Sequence, residues 1–477
     1  MPISRREFLR RSMYATLGGV SLYSGLGSLR LAQAAVLQNN YAFSDYKALV
    51  CVYLYGGNDS FNTIVPYDSA IYPVYAASRG NLALAQADIQ ANNLLPAALA
   101  GGLPGGPPSD GGSYGLHPAM PELRGLFNAG HAAIVANVGS LLYPITQQQY
   151  QLGLVPAPPQ LFSHDDQTTQ WQTSRPDDAN ANGWGGRMAD LLASANANPQ
   201  FSMSMTLSGT NLFQRGAVVN QYAVDPGGVE AMSYLGNGPE SWVAGGTTDD
   251  VNAYNALIRG PAPSNALERA FAASTSSAID YYTVLLDALS QASAPTTAFP
   301  DTELGNQLKM VAQLLQIRAK LGVSRQIFFV SAGGFDTHDN QLAQQQGNLT
   351  QLSQALSAFY NETVALGLDQ SVTSFTASDF GRSLAVNSGG TDHGWGGHHF
   401  VVGGAVRGQR FYGAMPSLLT TAAGNPNDTG YGQIIPTLAV DQYAATLASW
   451  FGVSAGDIAG IFPNLGRFNA PNLRIFG

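Results

Sequence analysis

Residues 48–55 read ALVCVYLY and run straight into Gly56 and Gly57. An unbroken apolar and aromatic run with β-branched members and no polar alternation describes a strand covered on both faces, not one with a face in water. Three further runs share this character: AAIVANV at 132–138, QIFFVSA at 326–332 and, less strongly, VTSFTA at 372–377. Helical periodicities fall between them. Thr302 to Leu321 carries Leu304, Leu308, Val311, Leu314 and Leu315 at helical spacing, and Leu349 to Leu366 carries a second pattern. Strands alternating with helices predict an α/β fold built on a mostly parallel sheet. In such sheets ligands gather outside the carboxyl ends of the strands. The stretches 101–115 and 222–263 read as loop inserts, and 440–462 as a helix that becomes irregular.

The carboxyl ends of these runs are where the polar chemistry collects. Asn58, Asp59, Ser60 and Asn62 follow the first run; Asp336, His338 and Asp339 follow the run through Phe328; Ser378, Asp379 and Arg382 follow the run through Phe375. The loop TDHGWGGHH then adds Asp392, His393, His398 and His399, so four of the seven histidines lie between 338 and 399. Carboxylates and neutral imidazoles suit zinc or a similar divalent ion. An aspartate at a strand end is also a common turn former or helix cap, so no single pair decides the matter. Taken jointly, Asp59, Asp336, His338, Asp379, His393 and His398 form the expected metal-binding set. Two catalytic candidates accompany it. Ser163, in LFSHDDQTTQW, reads either as a nucleophile beside a metal or as a helix N-cap ahead of Asp165 and Asp166, the cap being preferred. Arg382 could grip an oxyanion or simply pair with Asp379. Trp171, Trp184 and Trp395 offer sugar-stacking surfaces, or ordinary packing.

The N-terminus supplies a separate signal. SRREFLR at 4–10 places Arg5 and Arg6 side by side, a weakly apolar run follows from Met13 to Leu29, and Ala32-Gln33-Ala34 completes a cleavage pattern. The reading is a twin-arginine signal peptide over 1–34, recognised by the twin-arginine export machinery, with a mature α/β domain from Ala35 to residue 477 in the periplasm or outside the cell. The apolar run is too short and too interrupted for a stable transmembrane anchor. Removing residues 1–34 takes five arginines and one glutamate from totals of 22 basic and 31 acidic side chains, leaving 17 against 30. So acidic a chain, with no basic patch, argues against a nucleic-acid partner. Cys51 is the single cysteine, which excludes an internal disulfide.

Six stretches carry a family resemblance: GGNDSFNTIVP at 56–66, LHPAMPEL at 116–123, FSHDDQ at 162–167, GFDTH at 334–338, SDFGRS at 378–383 and GTDHGWGGHHFVVGG at 390–404. Together they resemble domain-of-unknown-function family 1501, which looks like a branch of the alkaline-phosphatase and sulfatase superfamily. That resemblance implies a three-layer α/β/α sandwich with a metal site at the strand ends and an anionic ester as substrate. It implies Asp59 as the first-strand metal aspartate, Asp336 with His338 as a shortened ligand pair, Asp379 as the Asp of a D-H motif, and His393 or His398 as the final histidine. Two departures stand out. Phe380 occupies the place of the D-H histidine, and no clear nucleophile follows the first strand at the usual place. Either His164 or His399 compensates, or the metal site is reduced, or the fold persists in a catalytically silent binding protein. The leading expectation is a metal-dependent hydrolase of phosphate or sulfate esters.

Overall fold

The computed structural model describes residues 41–99, 104–198, 201–229, 232–236, 243–245, 248–261, 263–420 and 424–477. The expected signal peptide therefore lies outside the described residues. Among the described residues no helix is long and apolar enough to cross a membrane.

The apolar runs form the sheet that their composition predicts. The strands used here are β1 (Lys47–Leu54), β2 (Ala132–Gly139), β3 (Ser204–Thr206), β4 (Tyr222–Ala223), β5 (Arg325–Ala332), β6 (Val372–Ser378), β7 (Gly397–Val402), β8 (Phe411–Tyr412) and β9 (Leu438–Ala439). They make one nine-stranded sheet in the order β8-β2-β7-β6-β1-β5-β3-β4, with β9 also on β2. Only β7 runs against its neighbours, β6 and β2; the other pairings are parallel.

Both faces of β1 are buried, as its lack of alternation requires. Ala48, Val50, Val52 and Leu54 join a core with α1 (Pro121–Asn128), α4 (Glu303–Gln316) and α5 (Gln341–Ala365), through Phe127, Leu308, Val311, Leu352 and Leu356. Leu49, Cys51 and Tyr53 face a second core with α2 (His164–Thr173), α3 (Trp184–Leu191) and α6 (Val440–Phe451), through Trp171, Met188, Tyr443 and Leu447. Helices thus cover the sheet on both sides, which is the expected three-layer arrangement. Each fully buried Val or Leu on these faces contributes about 1.5–3 kcal/mol, so the two cores account for the sheet's cohesion without any disulfide.

Two elements differ from expectation, each for a physical reason. Helix α5 begins at Gln341, eight residues before the apolar pattern does, because the buried side chains of its first turns are Gln341 and Gln345, held by hydrogen bonds to the Asp59 side chain and backbone. The stretch 222–263 is not all loop: it contains a helix, Thr248–Arg259, whose Val251, Tyr254 and Ile258 pack on Ile279 and Tyr282 of the following helix.

Register places the candidate site. Leu54 lies opposite both Ala332 of β5 and Ser378 of β6, so three adjacent parallel strands end level. Gly56–Gly57, Phe335–His338 and Asp379 therefore leave the sheet at one edge, and the hairpin Arg382–Asn387/Gly390–His393 folds back over it.

Candidate metal centre

The crossing of these chain segments is tight, and two glycines make it possible. Gly56 has φ +111°, and a Cβ there would stand 2.3 Å from the Asp336 backbone nitrogen; Gly57 has φ +83°, and its Cβ would meet the Phe380 ring at 2.4 Å. Neither position has room for a side chain. The freed backbone is used at once: the Gly56 N–H donates to Asp379 Oδ2 at 2.9 Å.

Asp379 does a second thing with the same oxygen. It accepts from His164 Nδ1 at 2.8 Å, although the two residues are 215 positions apart. His164 is the first residue of α2, and the preceding Ser163 is the helix N-cap, accepting from the Asp166 N–H while donating to Asp166 Oδ2 at 2.6 Å. On the other side of the site, His393 Nδ1 donates to the Phe162 carbonyl at 2.7 Å. Phe162 holds an uncommon left-handed conformation, φ 70°, which turns that carbonyl toward the ring. The Phe380 ring lies 4.8 Å from the His164 ring and 4.9 Å from the His393 ring, centroid to centroid, packing both imidazoles in place.

These contacts determine the tautomers. A carboxylate and a carbonyl can only accept, so His164 and His393, when neutral, both carry their proton on Nδ1. Their Nε2 lone pairs then face each other at 3.1 Å. His164 Nε2 is also 3.5 Å from Asp336 Oδ2, and His393 Nε2 is 3.4 Å from Asp336 Oδ1. One ligand atom from each of His164, Asp336 and His393 lies within 4.8 Å of the others. Two ring nitrogens and a carboxylate converge on one point, which a shared proton or a cation satisfies, and imidazoles oriented through Nδ1 by an outer acceptor are common among metal ligands. The residues present fit a divalent ion. His338 stands on the open side, its Nε2 2.9 Å from Asp336 Oδ1 and 3.0 Å from His393 Nε2.

The local electrostatics follow from the same partners. The hydrogen bond that His164 donates to Asp379 raises the pKa of His164 above the ordinary imidazole value, against a smaller opposing effect of burial. Burial lowers that of His393, helped by the nearby His164 and Arg382. Partial burial of Asp336 disfavours its charge, but the hydrogen bond and charge of Arg382 prevail and hold the carboxyl below the usual range. Asp336 and His338 are 44% and 45% exposed, so the group opens to solvent on their side, while Asp379 at 3% is shut in behind it.

The expected residues therefore divide. Asp336, His338, Asp379 and His393 come together, with Asp379 behind His164 as the group that orients it. Asp59 does not join them: it is buried against Arg79, Gln341 and the Phe61 N–H. Nor does His398. Its Nδ1 accepts from the Asn137 N–H at 3.0 Å, which leaves Nε2 protonated in the neutral ring, and burial drops its pKa to about 3. Arg382 does not pair with Asp379; its guanidinium is spent on Asp336, the Gly56 carbonyl and Thr391. Trp171, Trp184 and Trp395 are all buried, so none offers a face for sugar stacking. The Phe162 carbonyl was not foreseeable, because a backbone acceptor leaves no residue-type signal. His164 enters the expectations only beside His399, as a residue that could compensate for Phe380; the structure brings His164 to Asp336 and His393, whereas His399 is buried against Trp171.

The family described as "Protein of unknown function (DUF1501)" matches residues 46–430. No curated protein matches the chain in sequence. Among solved structures, the lipoteichoic acid synthase LtaP from Listeria monocytogenes is similar at 8% identity and a TM-score of 0.32, covering 89% of this chain and 78% of its own. Ps i-CgsB, crystallised in complex with k-i-k-neocarrahexaose, is similar at 9% identity and a TM-score of 0.33, covering 90% of this chain and 78% of its own.

Proposed function

This chain belongs to the DUF1501 family of proteins of unknown function, and we propose that it is a metal-dependent hydrolase of phosphate or sulfate esters whose metal is held by His164, Asp336 and His393. The reading rests on one observation above others: the Nε2 atoms of His164 and His393 face each other at 3.1 Å with both Nδ1 positions committed to acceptors. The ester class is supported by the resemblance of Asp336, His338 and Asp379 to the ligand motifs of alkaline phosphatases and sulfatases. A divalent ion bound there would polarise an ester oxygen and lower the pKa of a coordinated water.

The protein's own part is positional. Asp379 and the Phe162 carbonyl fix the two rings, Arg382 fixes Asp336, and Phe380 excludes water from the inner side. His338, on the exposed rim, is placed to exchange a proton with a leaving oxygen. Purified protein should contain a divalent ion and hydrolyse 4-nitrophenyl phosphate or sulfate; His393→Ala should lose both. Wild-type protein with neither metal nor hydrolysis ends the proposal.

A second reading, a catalytically silent binding protein, is favoured by one observation. Neither catalytic candidate is free, since Ser163 caps α2 and Arg382 is fully engaged. Metal bound at His164, Asp336 and His393 without turnover of either ester would select it.

A further inference from the structure

We propose that Asp59, Gln341 and Thr391 form a buried hydrogen-bond relay that locks Arg382, and through Arg382 holds Asp336 in the orientation that binds the cation. The inference rests on the proposed reading of the site and assigns Asp59 a role other than ligand. The four groups come from four elements: the turn after β1, the first residue of α5, and the two strands of the hairpin at 382–393. Asp59 is 1% exposed, and Gln341, Thr391 and Arg382 are each 0%.

The direction of every bond is determined by the ends of the chain. Arg382 has donors only, so its Nε–H gives to Thr391 Oγ1 at 3.2 Å. The Thr391 hydroxyl proton must then go elsewhere, and it goes to Gln341 Oε1 at 2.7 Å. That leaves the Gln341 amide nitrogen toward Asp59 Oδ2, a carboxylate that can only accept. Arg79 neutralises the same Asp59 oxygen and is itself tied to Asn62 and to the Ser383 and Leu384 carbonyls. At the working end, Arg382 Nη1 donates to Asp336 Oδ1 at 2.5 Å and to the Gly56 carbonyl at 3.2 Å. Remove the Thr391 hydroxyl and Arg382 keeps its charge and its bond to the Thr391 carbonyl but has a buried Nε–H without an acceptor, a penalty that the guanidinium relieves by turning. Asp336 turns with it. Asp59, Gln341 and Thr391 are thus positioning residues, since none reaches the cation site itself.

The test uses the full folded chain and Zn²⁺ or Co²⁺ alone as the probe. Affinity is measured by competition with a chromophoric chelator, and the visible spectrum of the Co²⁺ protein reports ligand geometry. Thr391→Val should weaken binding, by no more than the roughly 10- to 100-fold that follows loss of a ligand's own hydrogen-bond partner, and shift the Co²⁺ bands. Thr391→Ser, which keeps the hydroxyl, should restore both. Gln341→Glu should also weaken binding, because a carboxylate accepts from Thr391 but cannot donate to Asp59; it carries the test if the valine variant does not fold. Wild-type affinity and spectrum in Thr391→Val and Gln341→Glu would overturn the relay, as would equal damage from the serine and valine variants. A wild-type chain that binds neither cation would instead sink the hydrolase reading, which is a different failure.

Discussion

At the scale of single residues, partners decide what each ionisable group does. His164 and His398 are both imidazoles near the same sheet, yet a carboxylate on Nδ1 directs one toward the cation site, and a backbone N–H on Nδ1 makes the other a neutral core residue. Asp441 shows the same dependence. Burial is the main cause that raises its carboxyl to about 7, and its Oδ1 has no hydrogen-bond partner among the described residues. A carboxyl whose folded pKa lies above its unfolded value contributes stability that is complete below the unfolded value and is lost as pH rises through the folded one. The window here runs from about pH 4 to pH 7. Asp441→Asn should therefore raise the melting temperature more at pH 8 than at pH 5. At about 1.4 kcal/mol per pKa unit, the differential is at most a few kcal/mol. Equal gains at both pH values would show that Asp441 is not the group titrating.

At the scale of elements, helix α2 carries His164 on its first residue, so the cap that starts the helix also places the proposed metal ligand. Ser163→Ala removes that cap and should cost about 1 kcal/mol in urea unfolding, while ester hydrolysis continues. If hydrolysis vanished with stability unchanged, Ser163 would be a nucleophile after all. The long helix α5 teaches a related lesson. Its apolar rows from Leu349 onward were visible by periodicity, but its start at Gln341 was not, because polar residues are buried there by pairing and not by hydrophobicity. Periodicity reports what water rejects; it is blind to a glutamine held by an aspartate.

At the scale of the whole molecule, the level endings of β1, β5 and β6 turn scattered motifs into one site. Export is the other expectation that concerns the entire chain. Replacing Arg5 and Arg6 by lysines should leave the protein in the cytoplasm with its N-terminus uncut, whereas wild-type protein recovered outside should begin at Ala35. Wild-type protein that stays uncut in the cytoplasm would remove the export reading. The amino-acid sequence alone determined the α/β class, four of the nine strands of the main sheet and the family, because continuous apolar runs and local motifs are properties of neighbouring residues. It also brought Asp336, His338, Asp379 and His393 to notice as residue types suited to a cation. What the tertiary structure alone decided was which of these residues come together: His164 beside Asp336 and His393, with Asp59 and His398 elsewhere. A ligand is made by the direction of a lone pair, and that direction comes from partners hundreds of residues away, such as Asp379 for His164, which no local pattern records.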